Sequence, residues 1–176
     1  MSLKIKTILV LIILAFSSGS PALAQQEAQL YSSAAAQFKA GNDEFAFLNL
    51  FSLIRSYPGS KYLENSLFAI GEYHYADKNY AGASDNFSQI LEKFPDSKST
   101  VFAMAYLLKI AEKRNDTELA ANLGKAIATF HKLSLVFRSS KAFTYRSVSL
   151  NKYKADYYID KVEFYKNGEL FAQVSY

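Results

Sequence analysis

The chain has 176 residues, no cysteine and a formal net charge of +4, which predicts one domain held together by core packing without disulfides. An apolar content of 50% with 13 Tyr and 14 Phe excludes a disordered chain. Lysine and glutamate are interspersed along the sequence instead of clustered, so the positive balance does not predict nucleic-acid binding.

The first segment predicts export from the cytoplasm. Lys4 and Lys6 precede an apolar run at 7–16, and small residues then lead to an A-x-A sequence at 22–24. This order is typical of a cleavable signal peptide, which we place at residues 1–24. An uncleaved anchor is the alternative, but the apolar core is shorter than a membrane span. Without Lys4 and Lys6 the net charge falls from +4 to +2, and no cysteine is present to carry a lipoprotein anchor.

Apolar residues recur at spacings of three and four from about residue 27 to 137, which predicts helices. Turn and cap residues at 41–43, 77–79 and 114–116 divide this region into three pairs. We therefore expect six helices, at about 27–40, 43–57, 61–76, 80–94, 99–113 and 117–137. No segment after residue 24 is long and apolar enough for a transmembrane span.

A short motif marks the end of each pair. It reads aromatic-Pro-x-Ser-Lys at 57–61 and again, 37 residues later, at 94–98. A degraded third copy at 137–141, 43 residues further on, has Arg138 in place of the proline. Because proline cannot continue a helix, each motif should end one helix, and Ser60 or Ser97 should cap the next. The longer third spacing predicts a longer sixth helix.

The middle pair resembles the tetratricopeptide repeat through Leu67, Ile70, Gly71, His74, Tyr80, Ala83, Phe87 and Pro95. His74 stands where that family usually has tyrosine. Three extra residues before the next first helix make the pattern similar to the repeats of bacterial envelope proteins. These include the lipoprotein of the outer-membrane barrel-assembly machine and the periplasmic Tol-Pal-associated protein. The chain lacks the anchor cysteine of the former and the N-terminal coiled coil of the latter, so only the fold and the binding role are implied.

The resemblance implies a helical solenoid at residues 25–141 and a non-catalytic periplasmic scaffold. Its partner would be a protein or peptide of a cell-envelope complex, with a peripheral position at the outer membrane as a further option. In this family the first helix of each pair lines the binding groove. The candidate groove residues are Tyr31, Phe38, Asn65, Phe68, Glu72, Tyr75, Phe102 and Lys109. Alternatively, the aromatic members pack against the next repeat or against the tail.

The tail at residues 142–176 changes to a two-residue apolar period. Asn167-Gly168 predicts a hairpin over 161–176, with Lys166 opposite Glu169, Tyr165 opposite Leu170 and Phe164 opposite Phe171. Two further strands are expected at about 143–150 and 155–159. The predicted fold is thus mainly α, a solenoid of three helix pairs with a small C-terminal antiparallel β sheet. The tail either caps the helices or assembles the chain into a homo-oligomer through residues 161–176, which is the alternative to the scaffold function.

The sequence indicates no catalytic site. Its two histidines, His74 and His131, do not belong to a metal-like cluster, and there is no nucleophile elbow and no glycine-rich phosphate loop. We place His74 in the helical core and His131 on the surface. We therefore expect neither an enzyme nor a cofactor or metal site.

Overall fold

The computed structural model describes residues 21–138 and 142–175, and it confirms a mainly α fold with a small C-terminal sheet. The six helices are α1 (Pro21–Lys39), α2 (Asp43–Ser56), α3 (Leu63–Ala76), α4 (Tyr80–Lys93), α5 (Lys98–Lys113) and α6 (Thr117–Arg138). The four strands are β1 (Ala142–Arg146), β2 (Lys152–Tyr157), β3 (Lys161–Lys166) and β4 (Glu169–Ser175). None of the helices within these ranges is long and apolar enough to cross a membrane.

Each helix packs on the next, and α3 also contacts α5, so the first helices of the second and third pairs are neighbours. α1 is described from Pro21 onwards. Pro21 lies inside the segment predicted as a signal peptide, which stays a prediction. α6 has 22 residues against 14 for α4, which confirms that the sixth helix is longer.

The second aromatic-Pro-x-Ser-Lys motif works as predicted. α4 ends at Lys93, and the Ser97 hydroxyl accepts a hydrogen bond of 3.1 Å from the Ser99 N–H at the start of α5. In the first copy the helix also ends before the proline, since α2 stops at Ser56. The predicted cap is wrong, because Ser60 accepts from the Tyr62 N–H while α3 begins only at Leu63, without a side-chain cap. In the third copy, the Phe137 side chain and residues 139–141 lie outside the described structure, as does the His131 side chain.

Phe87 lies at the centre of the core and is fully buried. Its ring stacks on Tyr106 at 4.5 Å and meets the edge of Phe68 at 5.5 Å. Gly71 on α3 lets the ring approach, since a Cβ at that position would lie 2.8 Å from it. The glycine of the repeat pattern is therefore required by the close approach of α4, and α3 and α4 pack around this one ring.

The sheet is an antiparallel meander in the order β1-β2-β3-β4. Asn167 and Gly168 have φ angles of 53° and 92°, as the predicted two-residue turn requires, and Lys166 and Tyr165 face Glu169 and Leu170. The predicted partner of Phe164 is wrong. Phe164 faces Ala172, because a bulge beside Tyr165 leaves Phe171 as an extra residue.

The inner face of the sheet belongs to the same hydrophobic core as the helices. Phe143, Tyr153, Ala155, Val162 and Phe164 are buried in one cluster with residues of α3, α4, α5 and α6. β1 contacts α5, and β3 and β4 contact α6. The turn after β1 extends further, where Val148 packs on the cluster formed by the first pair and α3. The sheet thus covers α3 and α5, the first helices of the second and third pairs.

Candidate functional site

The predicted groove is filled by the chain's own sheet. Phe68 is fully buried, with its ring centroid 4.8 Å from that of Tyr145. Phe102 is also buried and lies 5.4 Å from the Tyr153 ring. At the other end of α3, Tyr75 meets the edge of the Phe171 ring at 6.1 Å. For these aromatic residues, the structure thus shows packing against the tail.

Two polar candidates also lie beneath the sheet. Asn65 accepts a hydrogen bond of 2.8 Å from the Tyr145 hydroxyl. Glu72 is 4% exposed and is held by residues of the turn between β1 and β2 and by the start of β2. The structure therefore brings Asn65, Phe68, Glu72, Tyr75 and Phe102 together, but as an internal contact surface.

Three candidates on α1 and α5 remain. Tyr31 on α1 stacks on Tyr62 with ring centroids 4.3 Å apart. Phe38 packs on the core cluster of the first pair. Lys109 forms a surface ion pair with Glu112 on the next turn of α5, at 2.8 Å. Of these three residues, Tyr31 still interacts with Asn65, which lies beneath the sheet.

Glu72 is the polar centre of this contact. One carboxylate oxygen accepts from the Ser147 and Ser149 hydroxyls, and the other accepts from the Asn151 amide at 2.8 Å and from the Tyr153 hydroxyl. Four neutral donors thus replace water around a buried carboxylate, and hydrogen bonds to an ionised group are the stronger kind. The arrangement fastens the sheet to α3 and leaves neither oxygen open to a substrate.

A chain of hydroxyl groups connects Glu72 to a lysine. Because the Tyr153 hydroxyl donates to Glu72, the Tyr106 hydroxyl, 2.6 Å away, donates to Tyr153. The Lys166 ammonium donates in turn to Tyr106 at 3.0 Å. Burial is the main cause that raises the pKa of both tyrosines, followed by the negative charge of Glu72. Each donor in this series of hydrogen bonds points towards the carboxylate, so both tyrosine hydroxyls have a partner.

A similar contact lies at the start of α3. Glu64 accepts hydrogen bonds from Ser97 and from Ser99, the latter at 2.7 Å. Ser-x-Ser therefore meets a glutamate of α3 twice, at 97–99 and at 147–149. The sequence shows the repeated Ser-x-Ser, but only the structure shows that each copy contacts a glutamate of α3.

The outer face of the sheet carries charge. Lys154 pairs with Asp156 at 2.7 Å, and Lys161 pairs with Glu163 at 2.7 Å. The hydrogen bond to Asp156 raises the pKa of Lys154, and hydrogen bonds from Lys161 and then Tyr165 lower the pKa of Glu163. The hydrogen bond to Glu163 also raises the pKa of Tyr165 to about 12. Most charges of this face are thus neutralised by a neighbour.

Arg146 and Lys152 differ from these pairs. They lie directly opposite each other in the ladder between β1 and β2, and neither has an acidic partner within the described ranges. Beside them is a shallow depression of about 430 Å³, lined by Lys152, Lys154, Asp156, Tyr165 and Gly168. Sequence periodicity does not predict this site, because the facing of Arg146 and Lys152 depends on strand register.

The described residues contain no group of three or more side chains suited to a metal ion. His74 is half-buried, its Nδ1 lies 3.2 Å from the Asn79 amide nitrogen, and burial lowers its pKa. The ring also meets the edge of Phe47 at 5.3 Å, so its contacts are those of a packed side chain.

Comparison with protein-family models gives no match, and comparison with curated proteins gives none either. The tetratricopeptide resemblance therefore rests on the residues of the middle repeat.

Proposed function

We propose that the protein is a non-catalytic periplasmic scaffold that binds a protein partner in a cell-envelope complex. Three features support this proposal: the stack of helix pairs, the resemblance of the middle repeat to binding modules, and the export signal predicted for residues 1–24.

The partner would bind on the outer face of the sheet. α3 and α5 are already covered, since Phe68 and Phe102 share one core with the strands. Releasing the sheet to free that surface would expose many buried aromatic residues, which costs free energy in proportion to their area. The outer face, by contrast, is available without any rearrangement.

One observation carries this proposal. Arg146 and Lys152 face each other across the strands, a like-charge arrangement that is destabilising in a sheet. The arrangement would become favourable if an acidic segment of a partner lay between the two side chains. The adjoining depression, with Tyr165 in its lining, offers space for an anchoring side chain.

Charge reversal tests the proposal. The double variant Arg146→Glu with Lys152→Glu should lose partners captured by cross-linking in intact envelopes, while its thermal unfolding stays near that of wild type. The matched control is Lys39→Glu with Lys125→Glu, which makes the same charge change on two exposed helical residues. If the sheet variant captures the same partners as wild type, the outer face is not the binding surface.

Assembly through the tail is the second candidate, because β4 forms one edge of the sheet. An edge strand offers unpaired backbone groups to another chain. Leu170 on this strand is 56% exposed, so Leu170→Glu should dissociate an oligomer formed there without disturbing the core. Light scattering that shows the same mass for this variant and for wild type would exclude the β4 edge.

A further inference from the structure

Helix α2 has an unusual apolar surface on its solvent side. Phe45, Leu48 and Phe51 are 61%, 51% and 43% exposed, whereas Ala46 and Leu50 on the opposite side are fully buried. Apolar side chains that cluster on a surface mark interaction sites more often than isolated ones do. α2 is therefore apolar on two sides, and only the side with Ala46 and Leu50 is buried in the core of this chain.

The solvent side follows the spacing of a helix–helix seam. Glu44, Leu48, Phe51 and Arg55 are all exposed and are separated by four, three and four residues. In paired helices, residues at this alternating spacing form the line of contact with the partner helix. The seam thus has two apolar residues in its middle and one charge at each end.

The seam is complementary to itself. When two copies of α2 lie antiparallel around a two-fold axis midway between Leu48 and Phe51, Leu48 of each copy meets Phe51 of the other. The same operation places Glu44 of each copy against Arg55 of the other. Neither Glu44 nor Arg55 has an ion-pair partner within the described part of this chain, so both charges are free for such a contact.

Packing fixes one apolar residue of the seam in place. The Phe51 ring stacks on Phe47 with centroids 5.9 Å apart, and Phe47 stacks on Tyr73 of α3 at 4.6 Å. Phe51 therefore loses little freedom when it is covered, which favours association.

We propose that this solvent side of α2 is the contact of a symmetric dimer, in which a second copy of the chain packs antiparallel through Glu44, Leu48, Phe51 and Arg55. The 14 residues of α2 span about 21 Å, so the contact is small. We expect a reversible dimer with a dissociation constant in the micromolar to millimolar range, as for other small interfaces.

Sedimentation velocity tests the dimer with protein purified after expression of the full chain, at concentrations from about 1 μM to about 1 mM. The wild type should change from monomer to dimer across this range, and Leu48→Glu should remain monomeric. Glu44→Arg and Arg55→Glu should each weaken the dimer about tenfold or more, because like charges then meet at both ends of the seam.

The double variant Glu44→Arg with Arg55→Glu tests whether the two helices pack antiparallel, with residue 44 of one copy against residue 55 of the other. It reverses both charges, so the opposite pairs form again and dimerisation should return to within about threefold of wild type. The control Leu170→Glu changes an equally exposed leucine on β4 and should leave the dimer unchanged. A wild type that stays monomeric, a dimer that survives Leu48→Glu, a double variant without recovery or a dimer lost in Leu170→Glu would each overturn the proposal.

Discussion

Glu72 accepts four hydrogen bonds in the contact between α3 and the sheet, so replacing it should have a large effect on stability. Glu72→Ala leaves the donors of Ser147, Ser149, Asn151 and Tyr153 without their acceptor in a buried site. Each unsatisfied buried group costs about 1–3 kcal/mol, but the serine hydroxyls can pair again with each other or with water. We therefore expect a total loss of about 3–5 kcal/mol, which lies within the sum of about 1–3 kcal/mol each for the Asn151 amide and the Tyr153 hydroxyl that lose this acceptor.

Glu72→Gln should cost less than half as much. Its carbonyl oxygen can still accept from Asn151 and Tyr153, while its amide group donates to Ser147 and Ser149, whose hydroxyls can rotate to accept. Urea unfolding gives both free energies. For a chain of this size, the alanine variant should also melt about 6–20 °C below wild type.

A surface glutamate provides the control. Glu112 pairs with Lys109 on α5 and its side chain is 45% exposed, so Glu112→Ala should cost less than about 1 kcal/mol. A loss below about 1 kcal/mol for Glu72→Ala, or equal losses for the alanine and glutamine variants, would refute the view that Glu72 fastens the sheet by accepting these donors.

Three further predictions concern the core. Phe87→Ala should lower the free energy of unfolding by about 3–5 kcal/mol in urea, as large core truncations do, and an unchanged midpoint would contradict its central position. Gly71→Ala should also destabilise, by about 1–3 kcal/mol, because its methyl group meets the Phe87 ring; the double variant with Phe87→Leu should lose less than the sum of the single losses. At alkaline pH, stability should fall as the pH rises above about 10, since unfolded tyrosines ionise there while burial raises the pKa of Tyr106, Tyr145 and Tyr153 in the fold. Tyrosinate absorbance that reaches its full value before unfolding would contradict this.

The helical part of the fold could be predicted because its determinants are local. Pro95 stops α4 and Ser97 caps α5, and the apolar period places Phe87 on the buried side. The Asn167-Gly168 turn was likewise predicted from its own two residues. The bulge could not be predicted, because it depends on how the hairpin fits against the helices. It makes Ala172, and not Phe171, the partner of Phe164.

The apolar period also could not predict what fills the groove. The spacing of Phe68 and Phe102 indicates that both lie beside the core stripe, but it cannot tell a partner from another part of the same chain. The aromatic residues of the tail, such as Tyr145 and Tyr153, indicate that the sheet itself fills the groove, since an isolated small sheet needs a surface to cover them. Arg146 and Lys152 became visible as a pair only once the register of β1 and β2 was known.

The contact of Val148 with the first helix pair has a consequence for how the protein is made. An open helical solenoid can fold from its first repeat onwards while synthesis continues, because each repeat contacts only its neighbours. Here the side chain of Val148, which follows all six helices in the sequence, packs on the core cluster formed by the first pair and α3. Phe68 and Phe102 also stay uncovered until the strands have been synthesised. The helices therefore cannot complete their core until the strands have been synthesised, and a chain that stops before residue 142 should expose these rings and aggregate.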